Sequence, residues 1–167
     1  MITTKQIELF FRKLNKELLE FDGLQFKTRL IESICSELDS IKGKVDEQSY
    51  KRITNILSVI DRGYRNFPID HSRLNISTAK SVLQNYKPTN IYSGIAKMID
   101  LVWESITITI DKECPECQEE FVVVLLEPES RKTYLSCDQC PWNSERKIIT
   151  HALPPTTEEL SRDGFIK

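Results

Sequence analysis

Four cysteines constrain this chain more than any other feature. They read Cys114-Pro115-Glu116-Cys117, then nineteen residues, then Cys137-Asp138-Gln139-Cys140, a C-x2-C-x19-C-x2-C pattern. A two-residue gap lets both sulfurs of a pair converge on one side of a tight turn, and this paired spacing reads as a zinc site. Two such turns supply the four thiolates of a tetrahedral shell, with sulfurs about 2.3 Å from the metal. A complete thiolate set leaves no coordination position open. The spacing therefore predicts one structural Zn2+ held by Cys114, Cys117, Cys137 and Cys140, and no catalytic metal. Two disulfides are the competing reading. The N-terminus, Met1-Ile2-Thr3-Thr4-Lys5-Gln6, lacks the basic, apolar and small-residue regions of a secretory signal. No apolar run approaches the roughly 20 residues needed to span a bilayer. The expectation is a cytoplasmic protein without a membrane segment, and in a reducing cytosol paired cysteines bind metal more often than they form disulfides. Cys35, on the apolar face of a predicted helix, reads as an inert buried thiol.

The pattern of apolar residues divides the 167-residue chain. Ile7, Phe10, Phe11, Leu14 and Leu18 recur at three- and four-residue steps, which predicts a helix from about Thr4 to Glu20, stopped by Asp22-Gly23. Leu30, Ile31, Ile34, Leu38 and Ile41 predict a second over about 27–42, closed by Gly43. Tyr50, Ile53, Ile56, Leu57 and Ile60 predict a third, capped by Asp46 and ended by Gly63. Pro68 breaks the irregular stretch that follows. Ser77 or Thr78 caps a short fourth helix to about Tyr86, and Thr89 or Asn90 caps a fifth that carries Ile91, Ile95, Met98, Ile99 and Val102. Short connections suggest antiparallel neighbours in a bundle. At Ser105 the period changes. Ile106-Thr107-Ile108-Thr109-Ile110 alternates and is β-branched throughout, and 121–126, 133–135 and 146–149 read as further strands. The predicted class is α+β: a helical domain over 1–105, a small antiparallel sheet over 106–152 with both cysteine turns at one end, and a polar, loosely held tail over 153–167. A sheet this small needs metal and packing to be stable.

The cysteine set resembles the zinc ribbon, in which two knuckles on β-hairpins hold one zinc. The resemblance covers about residues 106–150 and implies the same four ligands. In the usual knuckle a glycine often follows the second cysteine; here Gln118 and Pro141 stand there.

Charge argues against the commonest use of such ribbons. Residues 1–110 carry 16 basic and 13 acidic side chains, +3, whereas residues 111–167 carry 7 and 12, −5. Binding a phosphate backbone needs several Lys or Arg that displace counterions, yet Glu113, Glu116, Glu119, Glu120 and Asp138 surround the knuckles against Lys112, Arg131 and Lys132. Trp142 and Tyr134 offer stacking faces, but no basic groove accompanies them in the sequence. Catalysis has no framing either. His71 and His151 are the only histidines, and no nucleophile elbow, H-E-x-x-H or phosphate-cradling loop surrounds them. Cys114-Pro115-Glu116-Cys117 has no βαβ setting that would mark a redox pair.

What remains is a binding protein whose acidic end suits a basic protein partner, since complementary charge speeds encounter and rejects wrong partners. In type, the whole chain resembles small bacterial immunity proteins, including those of contact-dependent growth inhibition: compact, mildly acidic and without catalytic motifs. That resemblance implies binding one cognate toxin domain, often a nuclease, and occluding its active site. From charge and position, the candidate partner-binding residues are Glu116, Glu119, Glu120 and Trp142. The alternative expectation is a nucleic-acid-associated or regulatory zinc-ribbon protein.

Overall fold

Among the described residues five α-helices precede the sheet and one follows it. The structure, a computed structural model, describes residues 1–61 and 63–167. The helices are α1 (Thr4–Leu18), α2 (Gly23–Ile41), α3 (Glu47–Ile60), α4 (Ile76–Asn85), α5 (Ile91–Ile106) and α6 (Thr157–Arg162); the strands are β1 (Thr109–Asp111), β2 (Phe121–Leu126) and β3 (Thr133–Ser136). The class is α+β, with the strands in one antiparallel sheet of order β1-β2-β3.

Packing divides the described residues into two units. The first comprises Met1–Tyr64 and Leu74–Ser105, the second Arg65–Arg73 and Ile106–Lys167. The irregular stretch around Pro68 thus belongs with the sheet, although helices flank it in sequence.

In the first unit the apolar stripes of α1 to α5 merge into one core. Phe11, Phe26, Leu30, Ile34, Leu38, Ile53, Ile95 and Met98 have almost no exposure there. The helix starts follow from local chemistry. Thr3 and Gln6 form a reciprocal capping box on α1. Asp46 accepts from the Ser49 amide on α3, and the Asn90 carboxamide accepts from Ser93 at the start of α5. Asn75, not Ser77 or Thr78, caps α4. Gly23 opens α2 instead of merely ending α1, and its φ of 55° is the left-handed conformation the sequence suggested for it. Gly94 marks the close approach of α5 to α1: a Cβ there would lie 2.6 Å from Ile7 Cγ2. Tyr50, expected on the core face of α3, is 45% exposed.

In the second unit β2 is the central strand, with Val123 opposite Thr109 on one side and Ser136 on the other. Its Val122, Val123 and Val124 are all buried, which explains an apolar run where a half-exposed strand would alternate. Three expectations need correction. The first strand begins at Thr109, not Ile106, because Ile106 lies four residues after Val102, both are 0% exposed, and burial of that helical pair outweighs the β propensity of Ile106. Residues 146–149 form no strand. The Asn143 side chain donates to the Lys147 carbonyl and accepts from the Glu145 amide, and Arg146 takes φ 52°, so the extended backbone is interrupted after the bridge between Ser136 and Asn143. The tail is not loose. Leu153 bridges Leu126, Thr156 and Glu159 form a capping box, and Leu160 is fully buried with Phe165 and Ile166 packed nearby.

Candidate metal centre

Both cysteine pairs sit on turns built the same way. In the first, the Cys114 amide donates to the Glu119 carbonyl at 2.8 Å; in the second, the Cys137 amide donates to the Trp142 carbonyl at 3.0 Å. Each bond runs from the first cysteine of a pair to the residue five places on, so each knuckle closes on itself. The first knuckle also has Gln118 donating to the Cys114 carbonyl at 2.9 Å, with Gln118 held at φ 62°. This is the place where glycine is usual, and glutamine adopts the same left-handed conformation there at a cost of about 1–2 kcal/mol. In the second knuckle the Gln139 amide donates to the Cys137 sulfur at 3.3 Å.

The four sulfurs converge. All four Sγ atoms lie within 4.8 Å of one another; Cys114 and Cys140 are 3.6 Å apart, and Cys117 and Cys137 are 3.5 Å apart. A tetrahedron whose sulfurs stand about 2.3 Å from its centre has edges of about 3.8 Å, so the donor set fits a zinc-sized cation. A disulfide needs about 2.05 Å, and all four cysteines are free thiols. Burial opposes ionisation of Cys114, but the amides of Cys117 and Glu116, with the Cys140 and Cys117 thiols, overcome it and hold the group at about 7. Cys117 goes the other way. The Glu119 amide favours its thiolate, yet the Cys137 thiol, burial and the remaining thiols push it up to about 12. Four sulfurs this close resist ionising together; a divalent cation at their centre deprotonates coordinating thiols outright and removes that conflict. Cys114 and Cys137 are buried, Cys140 is half-buried and Cys117 is exposed. Cys35 lies apart in the first unit, where burial, helped by the Asp61 charge, pushes its thiol up to about 12.

The candidate contact residues divide. Glu116 and Trp142 line one groove beside Cys140, together with Pro141, Arg146, Lys147 and Ile148; its volume is about 490 Å³. Glu119 and Glu120 lie outside it, exposed on the first knuckle with Asp111 and Glu113. Among the described residues the ion pairs of this unit are Arg73–Asp138, Arg131–Glu159, Lys147–Glu127 and Arg162–Asp163, so those acidic side chains of the first knuckle stand unpaired. Arg146 and Ile148, the latter 93% exposed, are groove residues that the charge argument overlooked. His71 and His151 are both exposed, while Ser72, beside His71, is buried. No described helix is long and apolar enough to cross a membrane.

No protein-family model matches the chain. No curated protein and no solved structure matches it either.

Proposed function

We propose that the chain is a non-catalytic binding protein whose ribbon-like unit holds one structural Zn2+ on Cys114, Cys117, Cys137 and Cys140. We further propose that it neutralises a basic protein partner as an immunity protein neutralises its cognate toxin, a nuclease being the class whose own surface must attract phosphate. The observation that supports this is the run of exposed, unpaired carboxylates on the first knuckle: Asp111, Glu113, Glu116, Glu119 and Glu120. Four protein ligands give the metal a closed shell, which suits shape and not catalysis. Trp142, half-buried in the groove that Glu116 also lines, is the kind of aromatic anchor on which interfaces concentrate their energy.

The test is growth rescue. The protein encoded beside this chain is expressed alone and then with it. The expected result is arrest by the neighbour and relief by the chain, with relief lost in Glu116→Lys/Glu119→Lys/Glu120→Lys while zinc is retained. Equal relief by the triple variant, or none by the wild type, overturns the proposal.

A second reading draws on the same groove, where Arg146 and Lys147 flank Trp142, an arrangement that can stack a base and meet a phosphate. It is the weaker one, because Lys147 is engaged with Glu127 at 2.5 Å and Glu116 shares the rim. Nucleic-acid binding that falls steeply with salt and is lost in Arg146→Glu would favour it.

A further inference from the structure

Arg73 precedes Asp138 by 65 positions, yet its guanidinium Nη1 donates to the Asp138 carboxylate. Asp138 lies inside the second knuckle, directly after the ligand Cys137. The two ends of this pair differ. The Arg73 side chain is 18% exposed and that of Asp138 50% exposed. The arginine is fixed from behind: its amide donates to the Thr107 carbonyl at 2.8 Å, and Thr107 is 0% exposed. The stretch leading to it is anchored by Phe67 and Ile69, at 3% and 6% exposure. Arg73 Nε is buried without a hydrogen-bond partner. Withdrawing an arginine from water is costly unless a good ionic partner compensates. The only ion pair of this guanidinium among the described residues is to the knuckle.

We infer that Arg73 is a positioning residue for the metal site, acting through Asp138 to hold the second knuckle in its ligating conformation. That is the turn in which the Gln139 amide already donates to the Cys137 sulfur. Among the described residues the first knuckle has no such ion pair, and Cys117 is exposed. The second knuckle is therefore the half tied from outside its own turn, whereas the first is held by its own backbone bonds. Partners one step beyond a metal's ligands commonly change metal affinity by about 10–100-fold. Because Asp138 orients the turn and does not touch a ligand sulfur directly, the lower end of that range applies.

This inference rests on the four cysteines holding zinc. Its test follows zinc release from the full chain into excess chelator for wild type, Asp138→Asn, Arg73→Ala, Arg73→Lys and the double variant Arg73→Ala/Asp138→Asn. Each of Asp138→Asn and Arg73→Ala is expected to speed release about tenfold, and the double variant no more than either single, because one interaction is removed in all three. Arg73→Lys should recover part of the loss by keeping the charge. Added salt should speed release from the wild type and barely affect Asp138→Asn, since an ion pair half open to solvent is screened. Asp138→Asn is nearly isosteric at an exposed position, so it decides the matter even where Arg73→Ala fails to fold. Zinc-loaded Asp138→Asn that releases within twofold of wild type overturns the role of Arg73 alone. Multiplicative effects in the double variant do the same. A wild-type chain that binds no zinc overturns the metal site as well.

Discussion

Among the described residues twenty buried apolar side chains belong to the helical unit, and thirteen, two of them cysteines, to the ribbon-like unit. The difference is also one of kind. The larger core is entirely aliphatic, aromatic and methionine; the smaller includes Cys114 and Cys137, so part of the interior of the second unit is the cysteine cluster that could hold a metal ion. Eleven buried side chains besides the two cysteines are few to offset the entropy of ordering some seventy residues. The first unit is held by burial; on the proposed reading, the second gains from coordination what it lacks in burial.

The strongest way to break that contrast is to remove the metal. Structural zinc supplies on the order of 10–16 kcal/mol in small zinc-dependent folds, more than any one side chain in either core. Chelation, or Cys137→Ser, should make residues 106–167 protease-sensitive and erase the amide protection of β2, while helical circular dichroism at 222 nm persists. Parallel loss of the helical signal would show that the units do not differ as argued. Next in size is Phe26→Ala, a 0%-exposed side chain of the helical core. Truncation there should cost about 3–5 kcal/mol, read from urea unfolding followed at 222 nm. A change under about 1 kcal/mol would mean that burial is not what holds this unit.

A smaller effect concerns acid. The Arg162 guanidinium, with the amide and hydroxyl of Thr133, holds the Asp163 carboxyl well below the usual carboxylate range. A carboxylate depressed on folding contributes stability that is fully present above its unfolded value of about 3.9 and is lost as pH falls through that value toward the folded one. Protection of the α6 amides, relative to intrinsic exchange at the same pH, should therefore fall below about pH 4, and Asp163→Asn should abolish that step. The smallest effect sharpens the knuckle description. Gln118→Gly relieves a left-handed φ but frees the unfolded chain, leaving a net gain of about 1 kcal/mol or less, visible as slightly slower zinc release.

Much of this was legible in the residues, and the failures have identifiable causes. The zinc-sized cluster followed from spacing alone, because a C-x-x-C turn is a local geometry that needs no tertiary help. The helical stripes were legible for the same reason, period 3.6 being a local signal, and only Tyr50 strayed from its face. The strand expected from Ile106 was misjudged because α5 runs on through Ile106, which is 0% exposed, a fact of packing. The tail was read as polar because Leu160 stands among charged residues and its burial depends on a sheet that lies elsewhere in the sequence. Arg73 carried no signal, since nothing near it in sequence announces a partner 65 residues on.

The excursion of Arg65–Arg73 into the second unit sets a schedule for synthesis. A chain elongating at roughly 5–20 residues per second exposes Arg73 about 3–13 s before Asp138 exists. Throughout that interval the loop between α3 and α4 lacks its carboxylate, and for about its first half it also lacks the Thr107 carbonyl that will fix its backbone. α1, α2 and α3 can already pack while the loop waits. The order of synthesis is written into the thread: α1 to α5 first, then the strands, then the second knuckle, which supplies the partner of a loop made long before it, and α6 last. A protein cut at residue 105 would keep its helical core residues but leave that loop permanently without its carboxylate and its backbone acceptor.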